Sequence, residues 1–138
     1  MPFSDNEAAV RRAGDQWNAG NLDGYLDLYD ERIQLHGFTP EPMNKAEVTE
    51  FYRGILAAFP DAKLEFHDVF GNDEKLVIRF TMTGKHEGDF MGVPATGRDI
   101  ALPGTTILRF EGSRAVERWS QADMLGLLVQ LGAIPPPG

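Results

Sequence analysis

Apolar residues near the start of the chain recur with the period of a helix. Val10, Ala13 and Trp17 are separated by three and four positions, a spacing that indicates an amphipathic helix with one buried face. Ser4 or Asp5 is a candidate N-cap, because short polar side chains can accept a hydrogen bond from the first turn. A first helix on the surface of a core is therefore expected.

The same periodicity predicts two further helices in the first half of the chain. Residues 22–29 fit a short helix, and residues 32–36 alternate as a short strand. Asn44 opens a third helix with Glu47 three residues later, the spacing of a capping box. Pro60 ends this helix, because proline cannot continue a helical ladder.

The second half of the chain changes to the period of two that is typical of strands. Asp68 is predicted to share a strand face with Leu64 and Phe66. Pro103 cannot donate to a ladder, so it is expected at a sheet edge or a bulge. The predicted strands cover residues 62–69, 75–83, 98–110 and 115–121.

Helices followed by a series of strands indicate an α+β domain. The expected architecture is a curved antiparallel sheet covered by the N-terminal helices, with an apolar pocket between the two layers. At 138 residues the chain fits one domain over residues 1–138, with a proline-rich tail over residues 135–138.

Composition narrows the function classes. The net charge of -8 disfavours nucleic acid and anionic membranes as partners, because phosphate binding needs a basic face. The chain has no cysteine, which excludes disulfides and thiolate chemistry. The polar, acidic start is unlike a secretory signal, and no apolar run is long enough for a membrane span. We therefore expect a cytoplasmic location.

Two stretches carry a resemblance to a known family. They are GKHEGDFMGVPATGR at residues 84–98 and ERWSQADMLGLLVQLGA at residues 117–133. In combination with the LRF segment that ends at Phe110, they resemble the SnoaL-like polyketide cyclases of the NTF2-like superfamily. That resemblance implies a cone-shaped α+β barrel. It also implies a homodimer or larger homo-oligomer that pairs through the open sheet face.

The resemblance also implies a reaction, the intramolecular aldol ring closure of a polyketide-type substrate without a metal or an organic cofactor. Asp123 matches the acid/base aspartate of the family motif. The residues leave a second interpretation open, because Asp123 directly precedes a helical pattern and aspartate is a preferred N-cap. Strand parity favours the catalytic interpretation, since Asp123 would follow Trp119 and Gln121 into the pocket if all three faced inward.

Two further residues are candidate catalytic groups. Arg109 stands where the resemblance leads us to expect a histidine. Arginine cannot shuttle protons, but it could stabilise an enolate or bind a carboxylate. A two-residue hairpin loop would place Arg109 opposite Val116, and a three-residue loop would place it opposite Glu117 on the pocket-facing set. The alternative is that Arg109 only forms a cross-strand ion pair with Glu117. His36, at the end of the first predicted strand, could donate to a substrate carbonyl or titrate.

The predicted substrate is an apolar or aromatic small molecule. Tyr25 and Tyr29 are expected to point their hydroxyls inward, because a buried tyrosine needs a partner. Two other functions stay open, a hydrolase of the limonene-epoxide type and a non-catalytic binding module. The first would need two aspartates bridged by an arginine, for which Asp68 is the second candidate. The expected pocket residues are Trp17, Tyr25, Tyr29, Phe38, Phe51, His86, Phe90, Met91, Trp119 and Gln121.

Overall fold

The computed structural model describes residues 2–136 and has the α+β architecture that the sequence predicts. Residues 137 and 138 of the predicted tail lie outside the described part. Four helices and five strands follow one another along the chain. They are α1 (Phe3–Asn18), α2 (Leu22–Leu26), β1 (Tyr29–His36), α3 (Lys45–Ala58), β2 (Lys63–Gly71), β3 (Lys75–Lys85), β4 (Asp99–Glu111), β5 (Arg114–Ala122) and α4 (Met124–Gln130).

The strands form one sheet in the order β1-β5-β4-β3-β2. The pairs β2–β3, β3–β4 and β4–β5 are antiparallel, whereas β1 pairs with β5 in parallel. The prediction of an antiparallel sheet was therefore wrong for one edge. A parallel pair needs a crossover connection, and the long chain between β1 and β5 provides it.

The helices cover one face of the sheet, which we call the inner face. Val10 and Trp17 of α1 and Val48 of α3 are buried against it. The opposite side of the sheet is the outer face. No helix among residues 2–136 is long and apolar enough to cross a membrane.

The N-termini of two helices show where the local sequence was sufficient to predict the N-cap and where it was not. At α3, the Asn44 side chain accepts from Glu47 N and the Glu47 side chain accepts from Asn44 N, which confirms the capping box. The predicted cap of α1 was wrong. Its N-cap position is Pro2, and the Phe3 N–H donates instead to Asp73 Oδ1 at 2.8 Å from the β2–β3 turn.

The predicted end of α2 was also wrong. The helix stops at Leu26, and Tyr29 already belongs to β1, where it pairs with Ala115 of β5. Pairing with a distant strand therefore overrides the helical spacing of Tyr25 and Tyr29.

Two bulges shift the phase of the strands. Between Phe66 and Asp68 the β2–β3 register slips, so Asp68 lies on the outer face and forms an exposed ion pair with Arg79 at 2.6 Å. The predicted shared face of Phe66 and Asp68 was wrong, because one extra residue turns every later side chain over. Pro103 lies one position beyond the last β4–β5 pair, where β4 is locally an edge.

Candidate functional site

An apolar pocket lies between the helices and the inner face. Its enclosed volume is about 70 Å³, which is room for a few water molecules and is smaller than a drug-sized ligand site. All four helices and all five strands contribute side chains to the wall. Six of the ten predicted pocket residues line it, namely Trp17, Tyr25, Tyr29, Phe38, Phe51 and Phe90.

Among residues 2–136, one charged side chain lines this pocket. Arg118 of β5 is 8% exposed, and its guanidinium contacts the hydroxyls of Tyr25, Tyr29 and Tyr52 through Nη1. Its Nη2 donates to Thr106 Oγ1 at 3.0 Å. We call these five residues the arginine–tyrosine cluster. It gives an otherwise apolar pocket one polar end.

The cluster holds an uncompensated positive charge. Among residues 2–136, no carboxylate lies within 4.0 Å of the Arg118 guanidinium. Burial raises the pKa of both Tyr29 and Tyr52 above the ordinary value of 10.0, even though the nearby Arg118 charge lowers it. These two hydroxyls are therefore neutral at physiological pH and do not balance the guanidinium.

The cluster has more hydrogen-bond donors than the protein supplies acceptors for. The Arg118 Nε is buried and has no hydrogen-bond partner. The tyrosine hydroxyls contact one another at 3.1 Å for Tyr25–Tyr29 and 2.7 Å for Tyr29–Tyr52. Each contact uses one hydroxyl hydrogen, and the three hydroxyls carry three. One tyrosine O–H is thus not used by the contacts between the tyrosines.

The facing of β5 explains why Arg118 lies in the pocket. Arg118 pairs with Leu108, and Ser120 pairs with Thr106, both on the inner face. Neighbouring strand residues point to opposite sides. The expected inward orientation of Trp119 and Gln121 was therefore wrong, and both side chains lie on the outer face.

The outer face gathers the other predicted polar residues into a paired group. His36 Nε2 lies 2.7 Å from Glu117 Oε2, and Arg109 Nε donates to Glu117 Oε1 at 3.3 Å. The His36 ring stacks on Trp119 with a centroid distance of 5.6 Å, and Lys75 Nζ lies 5.6 Å from the Trp119 ring. The predicted catalytic residues His36 and Arg109 are thus separated from the pocket by the sheet.

The hairpin before β5 resolves the register question for Arg109. Glu111 pairs with Arg114, as a two-residue turn requires, yet Arg109 pairs with Glu117. A bulge at Val116 reconciles the two, because it adds one residue to β5. The ion pair that the sequence offered for Arg109 and Glu117 is present.

Asp123 caps α4. Its Oδ1 accepts from Gly126 N at 2.9 Å, and its side chain is exposed. A side chain at Gly126 would collide with the Asp123 carboxylate, so the glycine keeps this cap possible. Asp123 itself does not line the pocket, although its neighbours Ala122 and Met124 do. The cap interpretation is confirmed, and the acid/base role stays a prediction.

The segment that resembled a family signature folds over one side of the pocket. Its His86 is fully buried, accepts from Thr96 N through Nδ1 at 3.2 Å, and leaves Nε2 without a hydrogen-bond partner. His86 packs on Phe59 but does not line the pocket. Met91 points away and is 65% exposed. Phe90 is the residue of this segment that reaches the wall.

No group of three or more potential ligands among residues 2–136 could hold a metal ion. The pocket wall contains no carboxylate or imidazole within the described part of the chain. The two-aspartate arrangement of an epoxide hydrolase is therefore not formed there, because Asp68 lies on the outer face.

Sequence reasoning missed Arg118, Tyr52 and Thr106 as site residues. The sequence of β4 did indicate which face is buried. Leu102, Leu108 and Phe110 are apolar and lie an even number of positions apart, so they share the face that packs against the helices. Because Arg118 of β5 pairs with Leu108, its side chain lies on the same inner face. The bulge at Val116 hid this relation, because a hairpin without it would invert β5.

Comparison with known proteins supports the fold and the family. The family model for SnoaL-like polyketide cyclases matches residues 7–131. No curated protein shows significant sequence similarity to the chain. Among solved structures, AclR from Streptomyces galilaeus, a proposed hydroxylase, is 29% identical with a TM-score of 0.89, and the alignment covers 96% of this chain and 99% of AclR.

A second solved structure is IdmH from Streptomyces antibioticus, a proposed polyketide cyclase. It is 26% identical with a TM-score of 0.77, over 94% of this chain and 98% of IdmH. The fold is thus NTF2-like, an α+β sheet wrapped on helices. The chain belongs to the SnoaL-like polyketide cyclase family.

Proposed function

We propose that the chain catalyses intramolecular aldol ring closure of an apolar, polyketide-type carbonyl substrate held in the pocket. The observation that carries this proposal is the arginine–tyrosine cluster at one end of an apolar wall. Aldol closure passes through an enolate, whose oxygen carries negative charge. Preorganised donors in a water-poor site stabilise such a charge without reorganisation during the reaction.

The apolar wall supplies the second requirement of ring closure. The two reacting carbons must be held near one another, and a shaped cavity does this by excluding extended conformations. Phe38 and Phe51 pack with a centroid distance of 4.9 Å, and Phe59 and Phe90 at 5.3 Å. A polyketide larger than the enclosed 70 Å³ enters by displacing such ring side chains.

In this proposal, Asp123 moves the proton. Its side chain is exposed and only its neighbours Ala122 and Met124 line the pocket, so the substrate extends past these two residues to reach it. The Asp123 Oδ1 is engaged by Gly126 N, and Oδ2 is available to accept a proton from the substrate α-carbon. The enolate carbon then attacks the second carbonyl, which forms the C–C bond and an alkoxide. The proton returns from Asp123 to that alkoxide, so the enzyme ends the cycle unchanged.

Asp123→Asn tests the proposal, because asparagine is as good an N-cap as aspartate but accepts no proton. With a panel of polyketide methyl esters, we expect turnover to fall by about 10²- to 10⁴-fold. The melting temperature should not change. Asp123→Ser, another good cap without a carboxylate, should lose turnover to the same extent. If Asp123→Asn cyclises the esters at the wild-type rate, the acid/base assignment is refuted.

A second candidate function is a non-catalytic binding module. It is favoured by the exposed, helix-capping position of Asp123 and by the absence of a carboxylate or imidazole from the described pocket wall. Ligand binding to the wild-type chain without conversion of any ester in the panel would establish this function instead.

A further inference from the structure

We infer that the arginine–tyrosine cluster is an anion subsite, and that the pocket binds planar apolar compounds through one ionised oxygen. The ligand class is carboxylates, phenolates and the enolates of 1,3-dicarbonyl compounds. This rests on the proposed function only in placing the substrate in the same pocket. It goes further by naming the class of ligand that the cluster binds in the absence of any reaction.

The first argument is charge. A guanidinium is protonated at every physiological pH, and Arg118 is 92% buried, since its exposure is 8%. A buried charge is strongly disfavoured unless an opposite charge accompanies it. The described residues supply only hydroxyl groups to Arg118 and no carboxylate. An anion from outside is therefore the missing partner.

The second argument is hydrogen bonding. Arg118 Nε has no acceptor, and one hydroxyl hydrogen of the three tyrosines has none either. Both are donors, and nothing in the cluster is an unused strong acceptor. A carboxylate or phenolate oxygen is an acceptor only, so it complements this set, whereas a neutral amide brings donors of its own.

The third argument is shape. The walls next to the cluster are aromatic, with Trp17 and Tyr25 ring centroids 5.2 Å apart and Trp17 and Tyr52 centroids 5.7 Å apart. A flat ring can pack against such faces with its charged end on Arg118. The small enclosed volume also favours a single ring over a branched acid.

Benzoate and benzamide test the inference, because they share size and shape and differ in charge. The chain has two tryptophans, so Trp119→Phe leaves Trp17 in the pocket as the fluorescent reporter. In that background, we expect benzoate to bind about 10- to 100-fold more tightly than benzamide. Equal affinity of the two probes would overturn the inference.

Two variants test whether the preference for benzoate over benzamide depends on Arg118. Arg118→Met should abolish the preference for benzoate, while Arg109→Met, the same change on the outer face, should leave it intact. Arg118→Met should also melt higher than the wild type, because it removes an unpaired buried charge. Benzoate binding that is unaffected by Arg118→Met would refute the subsite.

A second probe needs no variant. Free 4-nitrophenol turns yellow as it ionises, and binding beside Arg118 should ionise it at a lower pH than in solution. Unchanged ionisation of the bound probe would contradict the inference. Neither assay involves turnover. Selective benzoate binding without ester cyclisation would refute only the proposed function, and cyclisation without selectivity would refute only the anion subsite.

Discussion

The two faces of the sheet differ in whether their charged side chains have a partner of opposite charge. On the outer face, Arg109 and His36 share the carboxylate of Glu117, and water reaches all three. On the inner face, Arg118 lies among hydroxyl groups and aromatic rings. The outer charges neutralise one another, whereas the inner charge requires a ligand. Residue types that are typical of catalysis therefore do not identify the site unless the sheet face on which they lie is known.

The largest expected difference between the faces is in the free energy of unfolding lost when adjacent residues of β4 are truncated. Leu108 is 1% exposed and lines the pocket, whereas Ile107 is 38% exposed on the outer face. Leu108→Ala should lower the free energy of unfolding by about 2–5 kcal/mol through lost burial and an enlarged cavity. Ile107→Ala should cost less than about 1 kcal/mol. Urea denaturation of the two variants measures the contrast, and equal losses would contradict the assigned facing.

Alkaline pH should act on the inner face. Burial raises the folded-state pKa of Tyr29 and Tyr52 above the unfolded value of 10.0. Stability is therefore intact below pH 10 and falls as pH rises further, because the unfolded chain releases its tyrosine protons first. Each of these tyrosines should contribute up to about 1.4 kcal/mol per pH unit.

The chain's three tyrosines all belong to the cluster, so tyrosinate absorbance reports on it alone. In the folded protein, the absorbance of Tyr29 and Tyr52 should rise at higher pH than in the urea-unfolded chain. Tyr29→Phe should make the alkaline loss of stability shallower. Coincident folded and unfolded titrations would show that these hydroxyls are not buried as described.

The smallest effect is expected on the outer face. Glu117→Gln removes the charge shared by His36 and Arg109, whose side chains are about one-third exposed. Partly exposed ion pairs contribute little, so the loss should be below about 1 kcal/mol and should shrink further at high salt. Thermal melts at two salt concentrations measure this. A loss as large as that of Leu108→Ala would mean that the outer group is structural.

Much of the fold was predictable because its signals are local or belong to a motif. The capping box of α3 depends on two residues, Asn44 and Glu47, and the helix begins where they place it. The change from a helical period to a period of two gave the α+β architecture. The aromatic side chains gave six of the wall residues. The inward hydroxyls of Tyr25 and Tyr29 followed from the need of a buried tyrosine for a partner.

The site itself was less predictable because strand facing is not local. The period of two fixes which residues share a face, but only the neighbouring strand decides which face is buried. The expectation that Trp119 points inward set the facing of β5, whereas the bulge at Val116 brings Arg118 to the inner face. Asp123 was correctly identified as a possible cap, but sequence alone could not exclude the other role.

The arginine–tyrosine cluster also has a consequence for how the chain is made. Arg118 lies 93, 89 and 66 positions from Tyr25, Tyr29 and Tyr52. Contacts between such distant segments form late in folding, because the intervening loop must first be closed. A chain still leaving the ribosome without β5 has its tyrosines but no binding site. An anion that binds the cluster therefore stabilises only molecules in which β5 has already docked against the tyrosines. It would favour the completely folded chain over partly folded ones.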